Sequence, residues 1–445
     1  AYEIAQCLVG SEMCIIDRGV CSGKLTGRWA LRDCNLSAGR RFLRGSIKIW
    51  YPCLRRSEGN MNKVRYGIVG IGKMGGTHAK KLKQGLDQNG ELAAVCDLSE
   101  ERLAWAEQAL PGVRRFADYR ELLACGEVDA VVVATPHYDH PGIAMEALEA
   151  GKHVLIEKPA GVYTSAVRAL NELARQKQGQ VFGIMYNQRT NPLYREAKRI
   201  IDSGELGELK RINWVITNWY RPQAYYDQGG WRGTWSGEGG GVLINQCPHQ
   251  LDLFQWLGGM PIKVRGYAKT GMHRRINVEN DVTFYTEYEN GASGVFVTST
   301  HDYPGTNRLE ISGDGGRIVI EQNLLKEKMT FCKLKVLESD FNRQNEKFMP
   351  QIPHTVVRKT TGSLTNAVRL GLIGQHMNIF RNFSRAVLHG EPLIAPGAEG
   401  IRGLALSNAV YLSSWLDQEI TLPLDEALFA SELAKRAAAE RATRA

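Results

Sequence analysis

The chain has 445 residues, 43% of them hydrophobic and 23% charged, which is enough for two domains with separate cores. No run approaches the roughly 18 uninterrupted apolar residues of a membrane span, so no membrane partner is expected. The formal charge is +9, but residues 1–60 carry +5 of it and the remaining +4 is spread without basic blocks. A nucleic-acid partner is therefore not expected either.

Residues 1–60 hold five of the nine cysteines, lack sustained periodicity and have no secretory layout. Their opening, AYEIAQCLVGSEMCIIDR, resembles translated sequencing adapter, and Met61 begins MNKVRYGIVGIG directly before a strand. The segment is read as a non-native or disordered leader. The other four cysteines (Cys96, Cys125, Cys247, Cys332) are scattered, with no CxxC and no metal-ligand spacing. That pattern suits a reducing, cytoplasmic setting and no metal site.

From Val64 the chain alternates strand and helix. Val64–Ile71, Leu92–Asp97, Ala130–Thr135, His153–Ile156 and Val181–Met185 are short, continuous apolar runs. Helices are predicted over Gly75–Leu86, from a cap at Ser99 through Leu110, and over Ile143–Ala150 and Thr164–Gln178. Strands without alternation, separated by helices, define a parallel sheet covered on both faces. This domain is placed at residues 61–182.

The second half, residues 183–425, changes period. After a helix at Pro192–Ser203 come alternating strands: Lys210–Trp219, Lys263–Lys269, Asp281–Glu289, Ala292–Thr300, Arg308–Ser312 and Arg317–Glu321. Glycine turns join several of them, which predicts an antiparallel meander in one open sheet. Residues 338–365 read as a polar, irregular surface excursion. Helices follow at Ile373–His389 and Gly397–Trp415, and residues 426–445 read as a polar helical tail, fraying from about 430.

Gly70-Ile71-Gly72-Lys73-Met74-Gly75 is a G-x-G-x-x-G sequence with an apolar strand ending at it and a helix starting within it. The first glycine permits the tight turn, the second lets a pyrophosphate approach the backbone, and the third lets helix and strand pack closely. Asp97 ends the second strand, where a carboxylate accepts the ribose hydroxyls of NAD and repels a 2′-phosphate, so NAD is favoured over NADP. Thr135, Pro136 and His137 close the Ala130–Thr135 strand, with His140 three residues later, and these face the same groove. Glu157 and Lys158 close the His153–Ile156 strand and border it. A lysine at the carboxyl end of a buried strand is partly desolvated, which lowers its pKa and suits it to proton exchange with a hydroxyl.

A second cluster begins at Gly239-Gly240-Gly241. Asn245, His249 and Asp252 then follow at i, i+4 and i+7, one face of a predicted helix that Gly258-Gly259 stops. The triple glycine suggests a site where backbone and ligand come close. Trp214, Trp219, Tyr220, Tyr225, Tyr226, Trp231 and Trp235 crowd one stretch, with Arg221 and Arg232 among them. Such rings stack on the CH faces of a sugar while arginines hold its hydroxyls, although about half of these aromatics are expected to be core or interface. Tyr186, Asn187 and Arg189 are further hydroxyl-binding candidates.

GIGKMG after the first strand, EKP after His153–Ile156, and GGG-x-x-x-N-x-x-x-H-x-x-D beyond residue 235 together resemble the Gfo/Idh/MocA oxidoreductases, over about Lys63 to Pro423. The resemblance implies a Rossmann domain, a doubly wound parallel sheet, followed by an α/β domain with a large open, mostly antiparallel sheet that commonly makes homodimer or homotetramer contacts. It implies NAD-dependent hydride transfer at a secondary alcohol carbon of a sugar, glycoside or cyclitol. Lys158 and His249 would be the catalytic pair, with Asp252 orienting the histidine or a substrate hydroxyl. Many members carry Asp where this chain has Asn245. An amide orients His249 but cannot stabilise its cation, which favours Lys158 as the base. Redox-assisted glycoside cleavage with tightly held NAD, and a non-catalytic NAD-binding sensor, stand as alternatives.

Overall fold

The computed structural model describes residues 62–228, 230–322, 327–361 and 364–444, with the side chains of 361, 364–373, 443 and 444 left out of account. The expectations for residues 1–60, Met61 as a start included, lie outside the described residues.

Six strands form the first sheet: β1 (Val64–Val69), β2 (Gly90–Cys96), β3 (Arg114–Phe116), β4 (Ala130–Val133), β5 (His153–Ile156) and β6 (Phe182–Ile184). All pairs are parallel, in the order β3-β2-β1-β4-β5-β6. Their continuous Val/Ile/Leu runs are buried on both faces, as a helix-covered parallel sheet requires. The covering helices are α1 (Lys73–Lys83), α2 (Glu100–Ala109), α3 (Tyr119–Ala124), α4 (His140–Glu149) and α5 (Thr164–Gln176). Ser99 caps α2 as predicted, its hydroxyl accepting from Arg102 N at 3.3 Å. The domain boundary expected at 182/183 falls inside β6.

Helix α6 (Pro192–Asp202) leads into the second sheet. It comprises β7 (Leu209–Ile216), then, after short helix α7 (Gln223–Asp227) and helix α8 (Pro248–Gly258), strands β8 (Lys263–Thr270), β9 (Glu279–Glu287), β10 (Ser293–Ser299), β11 (Asn307–Gly313), β12 (Gly316–Gln322) and β13 (Glu327–Leu334). Helix α9 (Glu338–Gln344), β14 (His354–Thr361), α10 (Leu364–His389), α11 (Gly400–Leu416), β15 (Ile420–Thr421) and α12 (Glu426–Arg444) complete the chain. The sheet order is β14-β13-β12-β11-β7-β10-β9-β8-β15.

Three expectations are corrected here. The sheet is not a simple meander, because β7 inserts between β11 and β10 and pairs in parallel with β10. Residues 338–365 are not irregular throughout: β14 pairs with β13 along its whole length, and its exposed Lys and Arg mark it as an edge strand. The tail does not fray from 430. Phe429, Leu433, Ala437 and Glu440 form one buried face of α12.

Helix α10 bends where Gly374 takes φ +61°, and its second half returns to the first sheet. Tyr66 of β1 meets Phe380 edge-on at 5.4 Å and hydrogen-bonds Ser384 at 2.6 Å. The late-sequence helix therefore roofs the dinucleotide domain.

Candidate active site

One groove of about 1500 Å³ runs along the carboxyl ends of β1, β2, β4 and β5 and on beneath α10. Its lining includes Gly70, Gly72, Lys73, Met74, Asp97, Thr135, Pro136, His140, Glu157, Lys158, Asn187, Trp219, Arg221, Trp231, Arg232, Asn245 and His249. Sequence positions nearly 180 residues apart thus share one space, at the point where strand order reverses between β1 and β4.

At the cofactor end, Gly70 has φ +86°, and any side chain there would press on the backbone of Ala134 and Thr135. A Cβ on Gly75 would collide with the Gly70 carbonyl, whereas Gly72 faces open space, as a backbone that admits a pyrophosphate must. Asp97 accepts from Ile71 N at 2.8 Å and Ser99 N at 3.0 Å, which fixes its carboxylate beside the glycine turn. Asp118, Asp139 and Glu146 line the same end. Arg102 is committed to the Ile71 carbonyl at 2.8 Å and to the face of Trp105, and Arg120 of the lining is paired with Glu146 at 3.0 Å. This set fits the diol of NAD and opposes a 2′-phosphate. His140 lies with one ring nitrogen 2.7 Å from Pro159 O and the other 2.9 Å from Thr135 O, tying the ends of β4 and β5 together.

At the other end, Lys158 Nζ donates to the backbone carbonyl of Asn245 at 2.7 Å. Burial holds the lysine below its ordinary pKa, and Glu157 and Glu238 partly offset this. Glu157 is turned away into a buried contact with His78, 2.6 Å long. Burial, with Lys158 and His376 nearby, pulls His249 down to about 3, so this imidazole is neutral. Its Nδ1 is buried without a hydrogen-bond partner.

The predicted single helix carrying Asn245, His249 and Asp252 is not what forms. Val242–Gln246 is a π-helical turn, with Cys247 N bonding Val242 O at 2.8 Å, and Pro248 starts α8 afresh because it has no N–H to continue the ladder. The turn keeps Asn245 and His249 in the groove and carries Asp252 away from it. Asp252 is bound by Arg189 through Nη2 at 2.6 Å and Nε at 2.8 Å, both residues 1% exposed, with Glu399 on the other side of the guanidinium. Neither Asp252 nor Arg189 lines the groove, which corrects the substrate roles expected of them. Tyr186 is likewise buried outside it, between His249 and the Arg189 guanidinium. The triple glycine is explained by protein contacts rather than by a ligand. A Cβ on Gly239 would meet Val162 at 2.6 Å, one on Gly240 the Tyr411 hydroxyl, and one on Gly241 the Glu279 carbonyl.

Of the aromatic stretch, Trp214, Tyr226 and Trp235 are core, Tyr220 is exposed, and Trp219, Tyr225 and Trp231 line the groove. Arg221 and Arg232 flank the Tyr225 ring at 5.1 and 5.0 Å. Gln246 and His376 line the groove and were not site candidates in the sequence. Behind the lining sits Glu238. Its position directly before the triple glycine was its only sequence signal. Among the described residues no group of three or more His, Cys, Asp or Glu could hold a metal ion.

A Rossmann sheet with a built dinucleotide turn, joined to a mixed nine-stranded sheet and sharing a groove with a desolvated lysine and a neutral histidine, defines an NAD-binding oxidoreductase. The model described as "Oxidoreductase family, NAD-binding Rossmann fold" matches residues 64–184, and that described as "GFO/IDH/MocA C-terminal domain" matches residues 194–319. Inositol 2-dehydrogenase 2 of Saccharopolyspora erythraea is 33% identical over 258 residues, 57% of this chain and 71% of that protein. The scyllo-inositol 2-dehydrogenase (NAD(+)) of Bacillus subtilis is 29% identical over 266 residues, 58% of this chain and 74% of that one. Among solved structures, the WlbA dehydrogenase of Bordetella pertussis in complex with NADH and UDP-GlcNAcA is 28% identical with a TM-score of 0.65, covering 82% of this chain and 100% of its own. The chain belongs to the Gfo/Idh/MocA family, as an NAD-dependent oxidoreductase acting on CH–OH groups.

Proposed function

We propose that the substrate is a sugar, glycoside or cyclitol, oxidised reversibly at a secondary alcohol carbon. One observation carries the reading: Lys158, His249 and Asn245 line the same groove as the glycine turn, and Trp219, Tyr225 and Trp231 line it with them. Bound NAD supplies the hydride acceptor. The chain supplies everything else. Lys158, held low by burial, takes the hydroxyl proton on Nζ. Neutral His249 hydrogen-bonds the reacting oxygen. Aromatic faces receive the CH surface of the ring, and Asn187, Arg221 and Arg232 are placed for its hydroxyls.

The inositol dehydrogenases and the UDP-GlcNAcA-bound relative support a polyhydroxylated ring, and they support hydride transfer over net glycoside cleavage or sensing. The test is NADH formation with a panel of inositols, hexoses, uronic acids and nucleotide sugars. The reading fails if every compound is inert, or if Lys158→Met retains full rate.

The exposed Val215, Tyr267 and Tyr285 of the nine-stranded sheet support homodimer or homotetramer assembly through that sheet, which light scattering after gel filtration measures. The described cysteines are all free, which fits a cytoplasmic location, and no helix among the described residues is long and apolar enough to cross a membrane.

A further inference from the structure

Position 245 holds an amide, and a buried carboxylate is present close by. Glu238 is 1% exposed. One of its oxygens accepts from Asn245 Nδ2, and the other accepts from Gly233 N at 2.8 Å. Its own backbone carbonyl accepts from His137 Nδ1 at 2.8 Å. Asn245 in turn receives the Lys158 ammonium on its backbone carbonyl, so a single residue joins the buried acid to the catalytic lysine.

We propose that Glu238 is a positioning residue of this active site, orienting the Asn245 amide from the preceding loop and adding a negative charge near Lys158. An amide can turn end for end, whereas a carboxylate is an acceptor only. Glu238 therefore holds Nδ2 toward itself, with the Tyr225 hydroxyl as a second partner at 3.2 Å, and leaves Oδ1 as the end that accepts from a substrate hydroxyl or His249. It also sets the charge balance around Lys158. The groups facing that lysine are Glu157, Glu238, Arg232, Cys247, His137, His249 and His376. His137 is buried, His249 and His376 are half-buried, all three are held neutral, and Glu157 is engaged by His78. Glu157 is the larger negative charge on the lysine and Glu238 the second, and Glu238 alone of the two also reaches it through Asn245. Burial raises its own carboxyl to about 7, and Gly233 N, Arg232, Asn245 and Lys158 pull against that rise.

The test moves the charge rather than deleting it. Glu238→Gln removes the carboxylate at almost constant shape, Asn245→Asp adds a second one beside the first, and the double variant transfers a single carboxylate from 238 to 245. The first readout needs no turnover: titration of Lys158 by its 13Cε resonance in 13C-lysine-labelled protein, assigned by loss of the signal in Lys158→Met. Glu238→Gln is expected to move that titration to lower pH, and the double variant to return it. The second readout is kcat with any sugar that reduces NAD, and this arm rests on the dehydrogenase reading. It is expected to fall about ten- to a hundredfold in each single variant, the range for one charge-assisted hydrogen bond, and to recover to within about threefold in the double. An unchanged Lys158 titration in Glu238→Gln overturns the proposal, as does a double variant no better than Glu238→Gln. If no sugar reduces NAD, the dehydrogenase reading fails while the titration still decides the role of Glu238.

Discussion

Arg189→Met separates a structural arginine from a substrate-binding one. The guanidinium gives two hydrogen bonds to Asp252, at 2.6 and 2.8 Å, and one to Ile394 O at 3.3 Å, besides its ion pair with Glu399. It lies over Tyr186 and Trp256, at 5.5 and 5.3 Å from their ring centres. Methionine fills much of the space and makes none of the polar contacts. Asp252 is then left 1% exposed with only the Gln255 amide, at 2.9 Å, for support. Breaking a buried pair by removing one partner costs about 3–5 kcal/mol, because the other charge stays buried and uncompensated. That is a large share of the roughly 5–15 kcal/mol that holds a typical domain folded. The assay is urea unfolding followed by tryptophan fluorescence, with sugar KM measured on the folded protein. Arg189→Met is expected to unfold at markedly lower urea while KM stays within about threefold. Adding Asp252→Leu removes the stranded charge and is expected to return most of the loss. A variant that unfolds like the parent but shows KM raised tenfold or more would refute the structural assignment and put the arginine back on the substrate.

Lys158→Met is expected to lower kcat by about 10²–10⁴-fold with little change in KM for NAD, since the proton acceptor is lost and the glycine turn is untouched; initial rates and NAD binding by calorimetry check this. The parent kcat/KM for oxidation is expected to fall as pH drops, because Lys158 must be unprotonated to act. Burial lowers its pKa, so that limb lies below the ordinary lysine range, and His249, at about 3, adds no limb at neutral pH. A limb that survives in Lys158→Met would contradict the assignment. Asp97→Asn keeps an acceptor for only one of Ile71 N and Ser99 N and loses the charge, so KM for NAD should rise by about tenfold and discrimination against NADP should shrink. Phe429→Ala takes a ring from a stack on Trp415, 5.7 Å away, and should cost about 3–5 kcal/mol in denaturant unfolding.

What could be read ahead of the structure follows a physical rule. Five of the six strands of the first sheet were legible because buried parallel strands are continuous apolar runs and the ligand turn needs glycines at fixed spacing, whereas β3, a short edge strand of sequence RRF, has no apolar run. Strands β7 to β12 were legible to within a few residues because alternation reports a half-buried sheet. Strand β14 was not, because HTVVRKTT is an edge strand whose charges mask any pattern. Helix α12 was obscured similarly: three apolar contacts over three turns sit among alanines and charges. In the site, Lys158 and His249 carried local motifs. Arg189 and Asp252 did not reveal themselves, since a polar residue that pairs with a residue 63 positions away looks the same in sequence as one that waits for a ligand. Glu238 and His376 carry no periodic signature at all. Their meaning arises only when a loop and a late helix fold over the lysine.

That folding-over is itself explained by packing remote from the chemistry. Trp235, in the loop that bears Glu238, meets Tyr411 and Trp415 of α11 edge-on at 5.4 and 5.3 Å, and Trp415 stacks on Phe429 of α12. Tyr138 donates to Trp235 O at 2.6 Å, and Glu440 of α12 accepts from Ser236 N at 3.0 Å. On the other side of the triple glycine, Glu279 accepts from Gly241 N at 2.8 Å, Leu243 N at 3.0 Å and the Tyr411 hydroxyl at 2.8 Å. The stretch from Trp235 to Leu243 is therefore held at both ends by one tyrosine and its aromatic neighbours, with three glycines between them that admit no side chain. A loop so constrained can carry a buried carboxylate to within hydrogen-bond reach of Asn245 and keep it there. The same glycines that resemble a ligand cradle in sequence thus act one step earlier, by letting the backbone pass close enough to Val162, Tyr411 and Glu279 for the catalytic residues beyond them to reach the groove.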